Sequence, residues 1–165
     1  PDALKQALAR SAAMVVYGPR SAARTSEMAI PVPLPPAIDG LDVTVTQVES
    51  LRHDIFVPLE GGGKVIRYRD VLDGTAEVIL QTTDAEPVAM RDGQQIYLGG
   101  WLDEDTLDQF ISGLCGEAGI DVLPMPEGVR TRTTGGERFW FNYSDAEVAC
   151  HGVELPAAGV LRVPV

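Results

Sequence analysis

A fully apolar run of four residues, Met14-Val15-Val16-Tyr17, constrains this sequence more than any other feature. It follows a short segment in which Leu4, Ala7, Leu8 and Ser11 share one face, and Pro1-Asp2 suits the first turn of a helix there. The run halts at Gly18-Pro19. A helix leading into a wholly apolar strand is the α-to-β half of an α/β unit, with the strand buried on both faces and flanked by neighbours. No strand precedes the helix, so the sequence reads as if it begins in the middle of a domain.

Residues 18 to 41 hold Pro31, Pro33, Pro35 and Pro36, which rule out regular structure and predict a long functional or interface loop. Val43 to Val45 with Val48, Lys64 to Tyr68 and Glu77 to Gln81 read as strands, with a turn at Asp73-Gly74. Pro87 to Met90 and Gln95 to Leu98 flank Asp92-Gly93 and predict a hairpin. The clearest helix follows. Asp103 caps it, Glu104 and Asp105 favour its positive end, and Leu107, Phe110, Ile111, Leu114, Cys115 and Ala118 form one stripe that Gly119 terminates. Beyond Pro124-Met125-Pro126 the pattern is β only. Val129 to Thr133, Arg138 to Tyr143, Val148 to Cys150 and Val160 to Val163 predict a small antiparallel module, with a boundary near residues 120 to 126.

The net charge of −11 argues against a nucleic-acid partner, whose phosphates demand clustered Lys and Arg. Arg67-Tyr68-Arg69 and Arg130-Thr131-Arg132 are the densest basic spots, and their spacing is that of a strand's solvated face. No apolar stretch approaches the roughly 20 residues of a membrane helix. Cys115 and Cys150 stand far apart, outside any zinc or scaffold spacing, and read as two reduced thiols in a cytoplasmic protein. Cys115 falls on the helix stripe and is a packing residue.

Catalytic patterns are not legible. Cys150 and His151 are strand neighbours and point to opposite faces, which argues against a nucleophile pair. Gly61-Gly62-Gly63 lacks phosphate-loop spacing, no Gly-x-Ser-x-Gly occurs, and Asp103-Glu104-Asp105 is helix-start charge rather than a metal cluster. Neither a cofactor nor a metal is expected. Phe139-Trp140-Phe141 places aromatics on both faces of one strand, so packing is favoured over a sugar platform for Trp140, and likewise for Trp101.

Several stretches together resemble the C-terminal third of family 42 glycoside hydrolases that are β-galactosidases. Tyr17-Gly18-Pro19-Arg20-Ser21, then Arg24-Thr25 and the run from Ile30-Pro31 to Leu34-Pro35-Pro36, are similar to a Gly-x-Arg-Ser-Gly-x-Lys-Thr loop and its proline-rich continuation. Val48-Glu49-Ser50-Leu51, Tyr97-Leu98-Gly99-Gly100 before Leu102-Asp103, Leu123-Pro124 to Gly128-Val129, Phe141 to Asp145 and Leu155-Pro156 to Gly159-Val160 continue the likeness in order. The loop departs from the family at Ala22, where a Gly is usual, and at Arg24, where a Lys is usual.

The resemblance implies an α/β fold: an incomplete flavodoxin-like domain, of the class I glutamine amidotransferase kind, over residues 1–123. It further implies that this domain mediates trimerisation and lacks its N-terminal part, and that a small antiparallel β domain follows over residues 124–165. It also implies a homotrimeric, retaining enzyme whose catalytic glutamates lie on an upstream barrel and have no counterpart here. Arg20, Ser21 and Arg24 are the candidate interface residues at a subunit or barrel contact. The rival readings are an independent carbohydrate-binding or adaptor module, and a true amidotransferase-like enzyme built on Cys115.

Overall fold

The computed structural model describes residues 2–21, 28–30, 34, 36 and 38–165. In chain order the elements are α1 (Asp2–Ala9), β1 (Val15–Tyr17), β2 (Thr44–Ser50), β3 (Phe56–Pro58), β4 (Lys64–Asp73), β5 (Glu77–Gln81), β6 (Pro87–Asp92), β7 (Gln95–Leu98), β8 (Gly100–Leu102), α2 (Glu104–Glu117), β9 (Val129–Thr134), β10 (Glu137–Asn142), β11 (Val148–Cys150), β12 (Val153–Leu155) and β13 (Val160–Pro164). They divide into two compact units, Pro1–Ile120 and Asp121–Val165.

The first unit holds two sheets. One runs β1-β7-β6-β5; in the other β4 is central, pairing with β2, β3 and β8. Among the described strand pairs only β1 and β7 run parallel. The expected flavodoxin-like α/β layering is therefore not what these residues build. The chain is mostly β with few helices. Its connections explain this: the β3–β4, β5–β6 and β6–β7 links are short and join strands that pair with each other, and a tight turn can return the chain only antiparallel, whereas parallel neighbours need a crossover of a dozen residues.

Burial on both faces belongs to β7, not to β1. Every residue from Gln95 to Leu98 is buried. Tyr97 joins Met90, Leu72, Val45, Val43, Leu41 and Ile38 in one core cluster. Leu98 joins Ala89, Val88, Leu59, Val65 and Leu102 in another, against which Leu107 and Phe110 of α2 pack. β1 departs from the reading of its apolar run, because Val16 is 38 % exposed. The α2 stripe is likewise wider than the core beneath it. Ile111, Leu114 and Cys115 line an open groove of about 540 Å³ with Met14, Val16 and Ile120. Asp103 caps α2 as expected: its carboxylate accepts the Thr106 hydroxyl at 2.8 Å and the Lys64 backbone N–H at 2.9 Å, tying the helix start to β4.

Arg67-Tyr68-Arg69 is not a uniform solvated face. Arg67 stands at φ 63, in the left-handed region, and the β4 pairing with β8 slips between Val65 and Arg69. The bulge turns Arg69 inward, where its guanidinium bonds Glu49 and Glu86, each at 2.5 Å, with only 14 % of its side chain exposed.

The second unit has a three-stranded sheet, β13-β10-β9, and the hairpin β11-β12. Trp140, Val129 and Leu155 form its core, joined by Met125, Cys150, Leu161 and Val163. β12, like β3 and β8, is too short for its periodicity to register in sequence.

Gly74 stands at φ +146, and a Cβ there would meet the Asp42 carbonyl oxygen at 2.1 Å. Gly74→Ala is expected to cost at least about 1 kcal/mol, whereas Gly113→Ala, in α2 with open space around it, is expected to add about 0.5–1 kcal/mol. Urea unfolding of the two variants checks the opposite signs.

Candidate functional site

The candidate interface residues lie at the turn after β1. Ser21 closes it: its hydroxyl donates to the Gly18 carbonyl at 2.7 Å, and its N–H reaches the same oxygen at 3.3 Å. Arg20 sits inside the turn at φ 62, in the left-handed region, which costs a side-chain-bearing residue roughly 1 kcal/mol. Arg24, and Ala22 beside it, lie outside the described residues.

A buried carboxylate holds this turn in place. Asp70 of β4 is 3 % exposed. Its Oδ2 accepts the Arg20 backbone N–H at 3.2 Å and the Tyr97 hydroxyl at 2.7 Å, while Oδ1 accepts the Tyr68 hydroxyl at 2.6 Å. Its own N–H donates to the Gly99 carbonyl at 2.6 Å. Thus the turn, β4 and β7 converge on one charge. A buried carboxylate is tolerated when each oxygen is satisfied in this way, and bonds to a charged acceptor are the strong ones.

The electrostatics follow from the burial. Desolvation first, then the bond to Asp70 and the proximity of its charge, drives the Tyr97 phenol far above its ordinary value, and Tyr68 moves upward for the same reasons. Both therefore remain donors at any physiological pH. The Arg20 guanidinium lies over the Tyr68 ring, 5.3 Å from its centroid, and Arg20 is exposed. The arrangement fixes a cation at the surface while the carboxylate beneath it stays inaccessible.

A second clasp acts on the same loop. The Tyr17 hydroxyl donates to Gln95 Oε1 at 3.0 Å, and Gln95 Nε2 donates to the Asp39 carbonyl at 3.5 Å. One buried amide thus bonds both ends of the 18–41 connection.

Asp70, Tyr68 and Tyr97, which hold the Arg20 turn, are residues that the sequence reading passed over, though Tyr68-x-Asp70 at strand spacing puts both on one face and could have marked them. The other candidates do not converge. Cys115 lines the α2 groove, Cys150 packs in the second unit's core, and His151 stacks on Trp140 with ring centroids 5.9 Å apart while its Nε2 contacts the Pro124 carbonyl at 2.5 Å. Among the described residues no group of three or more His, Cys, Asp and Glu could hold a metal ion. No described helix is long and apolar enough to cross a membrane.

The same arrangement of strands recurs inside much longer sugar-cleaving enzymes, and the chain is homologous to a partial domain of them. Those enzymes are β-galactosidases. Over 149 residues the chain is 33% identical to the β-galactosidase of Thermus thermophilus, a match spanning 87% of this chain and 22% of that protein. Against β-galactosidase BgaA of a Thermus species it is 32% identical over 161 residues, 94% of this chain and 24% of the relative. The chain therefore spans less than a quarter of the length of these curated relatives. Its structure matches the crystal structure of a β-galactosidase from the psychrophilic Marinomonas ef1 with a TM-score of 0.88 and 27% identity, over 98% of this chain and 27% of that one. The fold alone is shared with Gan42B, a GH42 β-galactosidase from G. stearothermophilus, at a TM-score of 0.68, 15% identity and coverage of 98% and 28%. No protein-family model matches the chain.

The phenols generate a pH prediction. The folded state holds their protons more tightly than the unfolded chain does, so their contribution is intact below about pH 10 and is lost as pH rises above it. Tyr97→Phe is expected to cost about 1–2 kcal/mol at neutral pH. It is also expected to remove part of an alkaline decline that approaches about 1.4 kcal/mol per pH unit for each phenol. Urea unfolding between neutral and strongly alkaline pH measures both, and an unchanged alkaline slope in the variant would contradict the clamp.

Proposed function

We propose that the chain is a non-catalytic assembly region of a β-galactosidase. In this reading the parent enzyme is a cytoplasmic homotrimer that hydrolyses terminal β-galactosides with retention, and its catalytic carboxylates lie on an upstream barrel. Residues 1–123 form the trimerisation domain and residues 124–165 a small C-terminal β domain. The observation that carries the proposal is the asymmetry of coverage: 98% of this chain, but only 27% of the Marinomonas enzyme, falls within the match.

The Arg20 turn supplies the contact. A residue held at positive φ by a buried carboxylate, with its guanidinium outward over Tyr68, is pre-organised at the surface, so little ordering entropy is lost when it meets a carboxylate of a neighbouring subunit or of the barrel. Ser21 keeps the turn closed, and Arg24 adds a second cation to the same loop.

Arg20→Ala in the full-length enzyme is expected to weaken the trimer and lower turnover while leaving each subunit folded. Size-exclusion chromatography with light scattering and a galactoside assay measure this, and an unchanged trimer with unchanged turnover removes Arg20 from the interface. Titrating the 165-residue chain with galactosides while following tryptophan fluorescence is expected to give no response. A saturable change would favour a carbohydrate-binding module.

A further inference from the structure

The outer face of β13-β10-β9 has a composition that the fold does not require. Trp140 points into the second unit's core, so its strand neighbours Phe139 and Phe141 point away from it. The pairing puts Phe139 between Arg132 of β9 and Arg162 of β13, and Phe141 between Arg130 and Val160. The Arg162 guanidinium lies 5.9 Å from the Phe139 ring centroid, and Phe141 stacks on Tyr143 at 6.3 Å. Tyr143 is 71% exposed and Val160 60%. Arg130 bonds only its neighbour's backbone, the Val129 carbonyl, and Arg162 pairs with Glu137. Among the described residues Arg132 makes no ion pair.

Aromatic rings interleaved with arginines are what protein interfaces enrich and what free surfaces avoid. Their setting is acidic. Residues 121–165 carry six of the 24 acids and four of the 13 Lys and Arg, which leaves 18 acids against nine bases in residues 1–120. The densest of those acids stand at the start of α2, where Glu104, Asp105 and Asp108 are exposed. No ion pair joins these three to any described residue.

We propose that the Arg130, Arg132 and Phe139 face docks on the acidic start of α2 in a second copy of this chain. The occupant follows from charge: the same molecule displays the guanidinium fork and, on its other unit, the unpaired carboxylates that fork fits. The two surfaces differ, so the contact is heterologous, and repetition closes a ring where the rotation permits. This deepens the assembly reading through a surface separate from the Arg20 turn. Arg20→Ala therefore leaves it intact, and its failure leaves the Arg20 contact standing.

The test is sedimentation velocity on the 165-residue chain in low salt and in about 0.5 M salt, where the screening length falls to about 4 Å. Salt-sensitive self-association is expected. Arg130→Glu with Arg132→Glu should raise its dissociation constant about tenfold or more, and Asp105→Lys with Asp108→Lys should do the same. Mixing the two variants should restore a complex, which a merely misfolded variant cannot do. A chain that stays monomeric in low salt, or an association that ignores both charge reversals, overturns the proposal.

Discussion

The first unit depends on one buried charge. Asp70 gathers a backbone N–H from the turn after β1, a phenol from its own strand and a phenol from β7, and so ties the two sheets together beside the backbone bond from its own N–H to the Gly99 carbonyl. Removing any donor leaves a carboxylate oxygen short of a partner in a site that water does not reach, which is why a short polar contact outweighs its size. Through it, the left-handed strain at Arg20 is absorbed by the protein interior rather than relieved by the loop. Gln95 reinforces the same loop from the floor of the core.

That arrangement separates rigid from open surface. Around β7 the packing is complete, and both core clusters meet on its two faces. Toward β1 it thins: Val16 and Ile111 are each 38% exposed along the groove they share with Met14 and Cys115. The proposed assembly role calls for such a combination, a stiff core that fixes geometry and an apolar margin that another surface can cover. The second unit repeats the theme, with Trp140 inside and Phe139 and Phe141 outside on one strand.

Much of this was legible in the sequence. The α2 cap, stripe and Gly119 stop, the hairpin across Asp92-Gly93 and the strand Glu77–Gln81 are local features, fixed by neighbours a few residues away. What failed was long-range. The apolar run at residues 14 to 17 looked like a central strand because hydrophobicity does not distinguish a strand buried on two faces from one lying beside an open groove. The flavodoxin-like expectation came from the likeness and not from the turns, which pointed to antiparallel pairing. Arg69 was read as solvated because alternation assumes an unbroken strand, and the Arg67 bulge breaks it. The Asp70 clasp joins positions 20, 68, 70 and 97, a constellation that one sequence cannot reveal.

The most direct measurement is the mass in solution of a full-length β-galactosidase containing this region, compared with the same enzyme from which it has been removed. An assembly region predicts that the intact enzyme is a trimer and that the truncated one is a folded monomer with impaired turnover. An equally stable trimer of undiminished activity after the removal would contradict the account.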